Sequence, residues 1–168
     1  MRFSLQLLLI LVLLIPSKLV SAQEIKTYNF DELEPIFHSQ NDTTYVINFW
    51  AMWCKPCVEE LPHFEAIRKN YADKKVKVIL VSLDFGETVV ERLNKFRTKR
   101  KVNSEIVILD DPDADNWISK VDEKWDGALP ATVIYKKDQR EVFTRQVSYE
   151  ELAESIDKMN QKKSLDAD

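Results

Sequence analysis

The two cysteines of this sequence have the spacing of a redox-active pair. Cys54 and Cys57 are separated by Lys55 and Pro56, and the 168 residues contain no third cysteine. A structural zinc site needs four ligands, and neither a second cysteine pair nor a nearby histidine pair exists to complete one, so we expect no metal. A purely structural disulfide across so short a loop would add little stability, because the stabilisation grows with the length of the closed loop. The pair therefore favours thiol-disulfide exchange over a metal site, a structural disulfide or two inert buried thiols.

The residues around the pair predict that Cys54 lies at the start of a helix. Residues 45–50 are rich in β-branched and aromatic side chains, which predicts a buried strand. Residues 54–72 carry apolar side chains every three or four positions, which predicts a helix with a kink at Pro62. A thiol at a helix N-terminus lies among unpaired N–H groups at the positive end of the helix dipole, and this lowers its pKa. We therefore expect Cys54 to act as the nucleophile and the deeper Cys57 to resolve the mixed disulfide.

Three neighbours of the pair are candidates for contact with a substrate. Lys55 adds positive charge beside the Cys54 thiolate. Pro56 stiffens the loop and has no N–H to satisfy in the first turn of the helix. Trp53 precedes the pair and offers an apolar side chain that can shield the sulfurs. We expect all three on the side of the site that faces a substrate.

The rest of the chain alternates between strands and helices. Further strands are predicted at residues 25–30, 76–83, 106–109, 131–135 and 141–147, the last two as a hairpin. Further helices are predicted at residues 31–37, 88–99 and 113–123 and from residue 148. Asp31 is the expected cap of the first of these helices, and Ser148 with Glu151 has the spacing of a capping box. This order predicts one α/β domain with helices on both faces of a sheet.

The N-terminal 22 residues have the features of a secretory signal. Arg2 precedes an apolar run over residues 5–15, and Val20-Ser21-Ala22 suits cleavage by a signal peptidase. The run ends at Pro16, well short of the roughly 20 apolar residues that a transmembrane helix needs. We therefore expect export to the periplasm or another extracytoplasmic space, with an uncleaved membrane anchor as the alternative. The folded domain is expected over residues 23–160, followed by a polar, frayed tail over residues 161–168.

Composition narrows the range of cofactors and partners. The formal net charge is −4, and the signal segment contains Arg2 and Lys18 but no acidic residue, so the exported chain is more acidic still. This charge argues against nucleic acid as a partner. Only two glycines occur, Gly86 and Gly127, so no glycine-rich loop is available to hold a nucleotide phosphate. We expect no cofactor.

The segment around the cysteines resembles that of a known superfamily. Residues 46–57, Val-Ile-Asn-Phe-Trp-Ala-Met-Trp-Cys-Lys-Pro-Cys, are similar to the active-site segment of thioredoxin-like proteins, and Asn48 is typical of their exported TlpA/ResA-like branch. Cytoplasmic thioredoxins carry a buried aspartate at that position, which assists proton transfer, so the resemblance leaves open which group does so here. In this branch a glutamate three residues after the second cysteine serves near the thiols, and Glu60 matches it. The alternative for Glu60 is an ordinary solvated carboxylate on a helix.

A second matching segment, residues 127–132, resembles the cis-proline loop of the superfamily. The resemblance implies that the peptide bond between Leu129 and Pro130 is cis, that Pro130 packs against the disulfide, and that the Leu129 backbone pairs with an extended substrate. A trans proline at the start of a strand is the alternative. Trp125 precedes this loop and is a candidate to line the client groove, with packing in the core as its alternative.

The resemblance extends to the order of elements over nearly the whole exported chain. It implies a thioredoxin-like fold with a central mixed β-sheet, helices on both faces and a central strand-helix insertion at about residues 86–109. It also implies a reductase of disulfides in client proteins such as apocytochrome c. We expect this reductase to be a monomer and to be recycled by an upstream membrane-linked thiol donor. The alternatives are a disulfide-forming oxidant and a redox-inert adaptor that binds a partner at the Pro130 groove. A peroxidase is less favoured, because its nucleophile normally lies in a different motif without a second cysteine so close.

Overall fold

The structure is a computed structural model that describes residues 24–161. The expected signal segment, residues 1–22, lies outside the described residues, as do residues 162–168 of the expected tail. Gln161, the first residue of that expected tail, is the last residue of a helix. Within residues 24–161 no helix has both the length and the apolar character that crossing a membrane requires.

Six strands form one mixed sheet in the described part of the chain. They are β1 (Lys26–Tyr28), β2 (Thr44–Trp50), β3 (Val76–Ser82), β4 (Glu105–Leu109), β5 (Ala131–Lys136) and β6 (Gln139–Phe143). Their order across the sheet is β1-β4-β3-β2-β5-β6. The first four strands in this order are mutually parallel, whereas β5 runs antiparallel to β2 and β6 antiparallel to β5. The central mixed sheet expected from the sequence is thereby confirmed.

Helices cover both faces of this sheet. They are α1 (Phe30–Leu33), which continues into a 3-10 helix (Glu34–Phe37), α2 (Lys55–Asn70), α3 (Val89–Arg100), α4 (Ala114–Val121) and α5 (Tyr149–Gln161). Buried side chains of α2, α3 and α5 share one apolar cluster with the sheet, and those of α1 and α4 share a second. The two clusters lie on opposite faces, because side chains of a strand alternate between faces: Val46 and Trp50 of β2 belong to the first cluster, and Ile47 and Phe49 to the second.

The cap of the first helix and both ends of the last strand differ from the predictions. The first helix is capped by Asn29 and not by Asp31, because the Asn29 side chain accepts a hydrogen bond from the Glu32 N–H at 2.9 Å while the Glu32 carboxylate accepts one from the Asn29 N–H. The last strand begins at Gln139, since Lys136 pairs with Gln139 and only two residues form the hairpin turn. The strand also ends at Phe143, short of the predicted residue 147.

The second cluster contains a connected group of aromatic side chains, the aromatic cluster. The rings of Phe30, Phe37, Phe49, Trp117 and Trp125 pack in a chain of contacts with centroids 4.7 to 6.2 Å apart. Such pairs bury large apolar areas and add a further stabilising contact between the rings. These contacts attach α1 and α4 to the face of the sheet opposite α2.

Candidate disulfide exchange site

Cys54 lies at the junction between β2 and α2, where the sequence predicted it. It is the N-cap residue of α2, with φ −85° and ψ 100°, and its Sγ accepts a hydrogen bond from the Cys57 N–H at 3.4 Å. Cys54 and Cys57 form a disulfide with their Cα atoms 5.3 Å apart. Pro56 occupies the first turn of the helix, where the absence of an N–H costs nothing. The first turn of α2 therefore presents a hydrogen-bond donor, the Cys57 N–H, to Cys54 Sγ.

The two sulfurs differ in their access to solvent. Cys54 is 6% exposed, whereas Cys57 is fully buried. Trp53 is 66% exposed, and Lys55 and Pro56 are also exposed, so all three side chains are open to a molecule that approaches the pair. Lys55 lies 3.7 Å from Glu59 in a pair that is exposed on both sides, which weakens any electrostatic effect of its charge. An approaching molecule meets Cys54 first.

Glu60 lies one turn beyond Cys57 on α2 and is buried, not solvated. Its side chain is 0% exposed. One carboxylate oxygen accepts a hydrogen bond from the Asn48 amide at 2.9 Å, and the other accepts one from the Val147 N–H at 2.9 Å. Burial raises the pKa of Glu60 to about 7, although these two hydrogen bonds act in the opposite direction. Because residues three apart on a helix share a face, Glu60 projects from the same side of α2 as Cys57.

Asn48 connects Glu60 to the sheet. Its amide nitrogen lies 2.9 Å from Glu60 Oε1, 3.0 Å from Thr132 Oγ1 and 3.4 Å from the Ala131 carbonyl, and all of these groups are buried. Its Oδ1 is buried without a hydrogen-bond partner. Glu60 is thus the ionisable member of a buried network that also contains Asn48, the residue at the position where thioredoxins carry an aspartate.

The loop before β5 lies beside the disulfide loop at the same edge of the sheet. Ala131 and Thr132 pair with Phe49 and Asn48 of β2, which brings the start of β5 next to the end of β2. The peptide bond between Leu129 and Pro130 is cis, as expected from the resemblance. Pro130 is buried and Leu129 is partly buried. The structure thus brings the two matching segments together.

The backbone of this loop favours glycine at position 127. Its φ is +86°, a conformation that strains any residue with a side chain. A Cβ at this position would also lie 2.7 Å from Ile118 Cδ1, so the end of that side chain would have to move.

Trp125 does not line a client surface, and the sequence-based expectation for it is corrected. Its side chain is 4% exposed and belongs to the aromatic cluster on the face of the sheet opposite α2. The indole N–H donates to the Ala128 carbonyl at 2.8 Å. Trp125 therefore packs in the core, which was the alternative for this residue, and holds the cis-proline loop through its hydrogen bond to Ala128.

A buried aspartate that the sequence did not single out fixes the disulfide loop. Asp84 Oδ2 accepts hydrogen bonds from the Met52 N–H at 2.9 Å and from the Ser82 hydroxyl at 2.8 Å. The backbone of the same loop adds a bond from the Leu83 N–H to the Trp50 carbonyl at 2.9 Å. An acidic residue directly after a buried apolar strand was the available signal, but its partner could be identified only from the pairing of β2 with β3. Within residues 24–161 there is no cluster of three or more metal-ligating side chains.

Comparison with known proteins identifies relatives of this arrangement. The model of the AhpC/TSA family matches residues 16–141. The thiol-disulfide oxidoreductase ResA of Oceanobacillus iheyensis is 43% identical over 47 residues, which cover 28% of this chain and 24% of that protein. ResA of Halalkalibacterium halodurans is 30% identical over 88 residues, 52% of this chain and 45% of that protein. The matches thus span between about a quarter and about half of the length of these curated relatives.

Solved structures share the fold. The thioredoxin-related protein from Neisseria meningitidis serogroup B superposes with a TM-score of 0.62 at 22% identity, over 73% of this chain and 89% of that one. This likeness confirms the thioredoxin-like fold that the resemblance implied.

Proposed function

The chain belongs to the AhpC/TSA family, and on that premise we propose that it is an extracytoplasmic thiol-disulfide oxidoreductase that reduces disulfides in client proteins. The observation that carries this proposal is the asymmetry of the pair: Cys54 is reachable at the start of α2, while Cys57 is buried one turn further along. Thiol-disulfide exchange needs one sulfur that attacks from the surface and a second that attacks only the first.

The reaction begins with the reduced pair. The Cys54 thiolate attacks one sulfur of a client disulfide, the client S–S bond breaks, and its other sulfur leaves as a thiolate. The helix start supports this step, because the N–H of Cys57 already points at Cys54 Sγ and the helix dipole favours negative charge there. The product is a mixed disulfide between Cys54 and the client.

Cys57 then releases the client. Its thiolate attacks Cys54 Sγ, the mixed disulfide breaks, and the second client sulfur leaves as a thiolate, so two electrons pass to the client as the Cys54 to Cys57 disulfide forms. Since Cys57 is buried, a client disulfide does not reach it directly. This restriction makes Cys57 the resolving cysteine.

Glu60 takes the proton that Cys57 must lose before it attacks. The carboxylate is buried on the same side of α2 as Cys57, and its pKa of about 7 allows it both to accept and to release a proton near neutral pH. Asn48 and Val147 hold the two carboxylate oxygens in place. Glu60 therefore performs the task that the buried aspartate performs in thioredoxins.

Export and the direction of exchange belong to the same proposal. The signal-like segment 1–22 and the resemblance to the exported branch support an extracytoplasmic location, with a membrane-linked thiol donor upstream and clients such as apocytochrome c. A reduction potential near about −270 mV, against glutathione, is expected for a reductase of this fold, whereas about −120 mV would indicate a disulfide-forming oxidant.

Trapping of the mixed disulfide tests the proposed function. Reduced Cys57→Ser is incubated with insulin, and a mixed disulfide through Cys54 is expected to accumulate, because the resolving sulfur is missing. The matched variant Cys54→Ser is expected to trap none, and the wild type is expected to catalyse insulin reduction by dithiothreitol. If Cys57→Ser traps nothing and Cys54 alkylates no faster than a model thiol at pH 6, the protein is a redox-inert adaptor. Catalytic consumption of hydrogen peroxide would instead indicate a peroxidase.

A further inference from the structure

The disulfide loop lies between two other loops at one edge of the sheet. β2 has β3 on one side and β5 on the other, and Trp50 at the end of β2 pairs with Ser82 at the end of β3. Because β5 is antiparallel to β2, its start and the preceding Pro130 loop lie at the same edge. A polypeptide that reaches Cys54 therefore has the Pro130 loop on one side and the loop after β3 on the other.

The loop after β3 presents an aromatic ring to solvent. Phe85 is 74% exposed, the highest value among the large apolar side chains of the described residues that remain exposed. Its neighbour Asp84 is bonded at 2.9 Å to the N–H of Met52, and Met52 precedes the exposed Trp53. The hydrogen bond between Met52 and Asp84 therefore holds the two loops together, and the next residue in each loop, Trp53 or Phe85, is an exposed aromatic residue.

Hydrogen bonds hold the backbone on both sides of Phe85. On the N-terminal side, the buried Asp84 accepts hydrogen bonds from Met52 and Ser82. The Phe85 carbonyl itself accepts a hydrogen bond from the Arg92 guanidinium at 2.6 Å, and Gly86, with φ +104°, then turns the chain toward α3. The loop therefore holds an exposed aromatic ring that belongs to neither apolar cluster, at the same edge of the sheet as the exposed Trp53.

We propose that Phe85 and Trp53 form a docking surface for an apolar side chain of the polypeptide whose disulfide Cys54 attacks. The inference rests on the proposed function, because a mixed disulfide necessarily brings the client backbone against Cys54 and its neighbours. Lys55 and Glu59 next to the surface form a pair of opposite charges, so recognition on this side of the site depends on apolar contact and not on net charge. The client thus crosses from the Pro130 loop over Cys54 to Phe85, and this docking surface selects protein disulfides over small ones.

The test compares a protein substrate with a small one. Reduction of insulin and of glutathione disulfide is measured for the wild type, Phe85→Ser and Phe85→Tyr. The ratio of the two kcat/KM values, insulin over glutathione disulfide, is expected to fall about fivefold or more in Phe85→Ser, as is common when an anchoring aromatic residue is removed. Phe85→Tyr keeps the ring and is expected to retain the ratio within about twofold. Val90→Ser, which alters another exposed apolar residue beyond the Gly86 turn, is the control and is expected to change neither rate.

Each other outcome overturns the inference. An unchanged ratio in Phe85→Ser shows that clients do not use the ring, and so does an equal fall with both substrates, since the loop would then act on the disulfide itself. A dimeric wild type in sedimentation equilibrium that Phe85→Ser converts to a monomer, with insulin reduction unchanged, would assign the docking surface to a second copy of the chain. A wild type that reduces neither substrate contradicts the proposed function, a result that is distinct from a failure of Phe85 alone.

Discussion

Among the acidic residues that the structure describes, Glu60 is the least exposed, at 0%. A carboxylate without solvent contact keeps its negative charge only where hydrogen bonds replace the lost hydration, and Asn48 and Val147 supply one each. They do not fully compensate, since the pKa of Glu60 still rises to about 7 from an ordinary value of 4.5. The folded protein therefore retains a proton at pH values where the unfolded chain has lost it.

Replacement of Glu60 should remove part of the pH dependence of stability. Between about pH 4.5 and 7 the folded state binds more protons than the unfolded state, so the free energy of unfolding falls as the pH rises and stops falling on this account above about pH 7. The full effect is about 3 kcal/mol at 1.36 kcal/mol per pKa unit. Between pH 4.5 and 8 the free energy of unfolding should therefore fall by about 3 kcal/mol more in the wild type than in Glu60→Gln. Urea unfolding of the oxidised proteins measures this difference.

Glu59→Gln is the matched control for this measurement. Glu59 is the adjacent residue on α2 but is exposed and paired only with Lys55, so its variant should follow the pH profile of the wild type. Parallel profiles for Glu60→Gln and the wild type would mean that Glu60 titrates like an ordinary carboxylate.

Spacing along the chain was sufficient to place the two cysteines at the start of a helix but not to find the residues that hold them. Glu60 was singled out only by the resemblance to the TlpA/ResA-like branch, and its offset of three residues from Cys57 places both side chains on one face of α2. Asp84 could not be assigned a role from the sequence, because its contact with Met52 depends on which strands pair. Trp125 could not be placed either, because an aromatic residue in a loop has the same pattern whether its ring faces solvent or the core.

At the level of secondary structure, the entry into α5 matters because it is coupled to the buried carboxylate. The Ser148 hydroxyl accepts a hydrogen bond from the Glu151 N–H at 3.2 Å, and the Glu151 carboxylate accepts one from the Ser148 N–H at 2.9 Å. This is the capping box that the sequence predicted. The preceding residue, Val147, donates its N–H to Glu60, so the cap also fixes one of the two donors on which Glu60 depends.

Loss of this cap should destabilise the protein measurably. Ser148→Ala removes the acceptor for the Glu151 N–H, and we expect the free energy of unfolding to fall by about 1 kcal/mol. Thr88→Ala offers a comparison, because Thr88 occupies the N-cap of α3 without a side-chain hydrogen bond and should change stability by less than about 0.5 kcal/mol. Equal losses from both substitutions, measured by urea unfolding at neutral pH, would contradict the contribution of the capping box.

Helix and strand identities were predictable, whereas some of their ends were not. The sequence pattern identified every helix of eight or more residues within residues 24–161, and the bounds of α3 and of α4 were each found to within about two residues. The hairpin was misplaced because the sequence does not show that Val147 donates its N–H to Glu60 instead of to a strand. The first cap was misplaced because Asn29 and Asp31 are both good capping residues, and only the reciprocal bond from Glu32 distinguishes them.

For the molecule as a whole, the exchange site and the aromatic cluster lie mainly on opposite faces of the sheet. The face with α2 carries both cysteines and Glu60, and the other face carries the aromatic cluster, in which Trp125 also holds the Pro130 loop. Substitutions in the aromatic cluster away from Trp125 should therefore change stability more than reactivity. The β-branched and aromatic run at residues 45–50 predicted a buried strand, but which helices cover each face of the sheet depended on the order of the strands.

Truncation in the aromatic cluster tests this separation. Phe37 is buried and stacks on Phe30 and Phe49, so Phe37→Ala should lower the free energy of unfolding by about 3 to 5 kcal/mol. The alkylation rate of Cys54 in the reduced, folded variant should stay within about twofold of the wild type. The two rings that stack on Phe37 are those of Phe30 and Phe49, and neither belongs to the exchange site. Trp53→Ala, at an exposed aromatic residue, should cost less than about 1 kcal/mol. A parallel loss of Cys54 reactivity in Phe37→Ala would show that the two faces are coupled.

The direction of β1 has a consequence for how the molecule can be tethered. β1, β4, β3 and β2 are all parallel, so β1 begins at the edge of the sheet opposite the one where β2 ends. Cys54 and Phe85 lie at the far pole, because they follow the ends of β2 and β3. An attachment ahead of residue 24 would therefore hold the molecule at the edge of the sheet opposite Cys54 and leave Cys54 and Phe85 facing away from the attachment point.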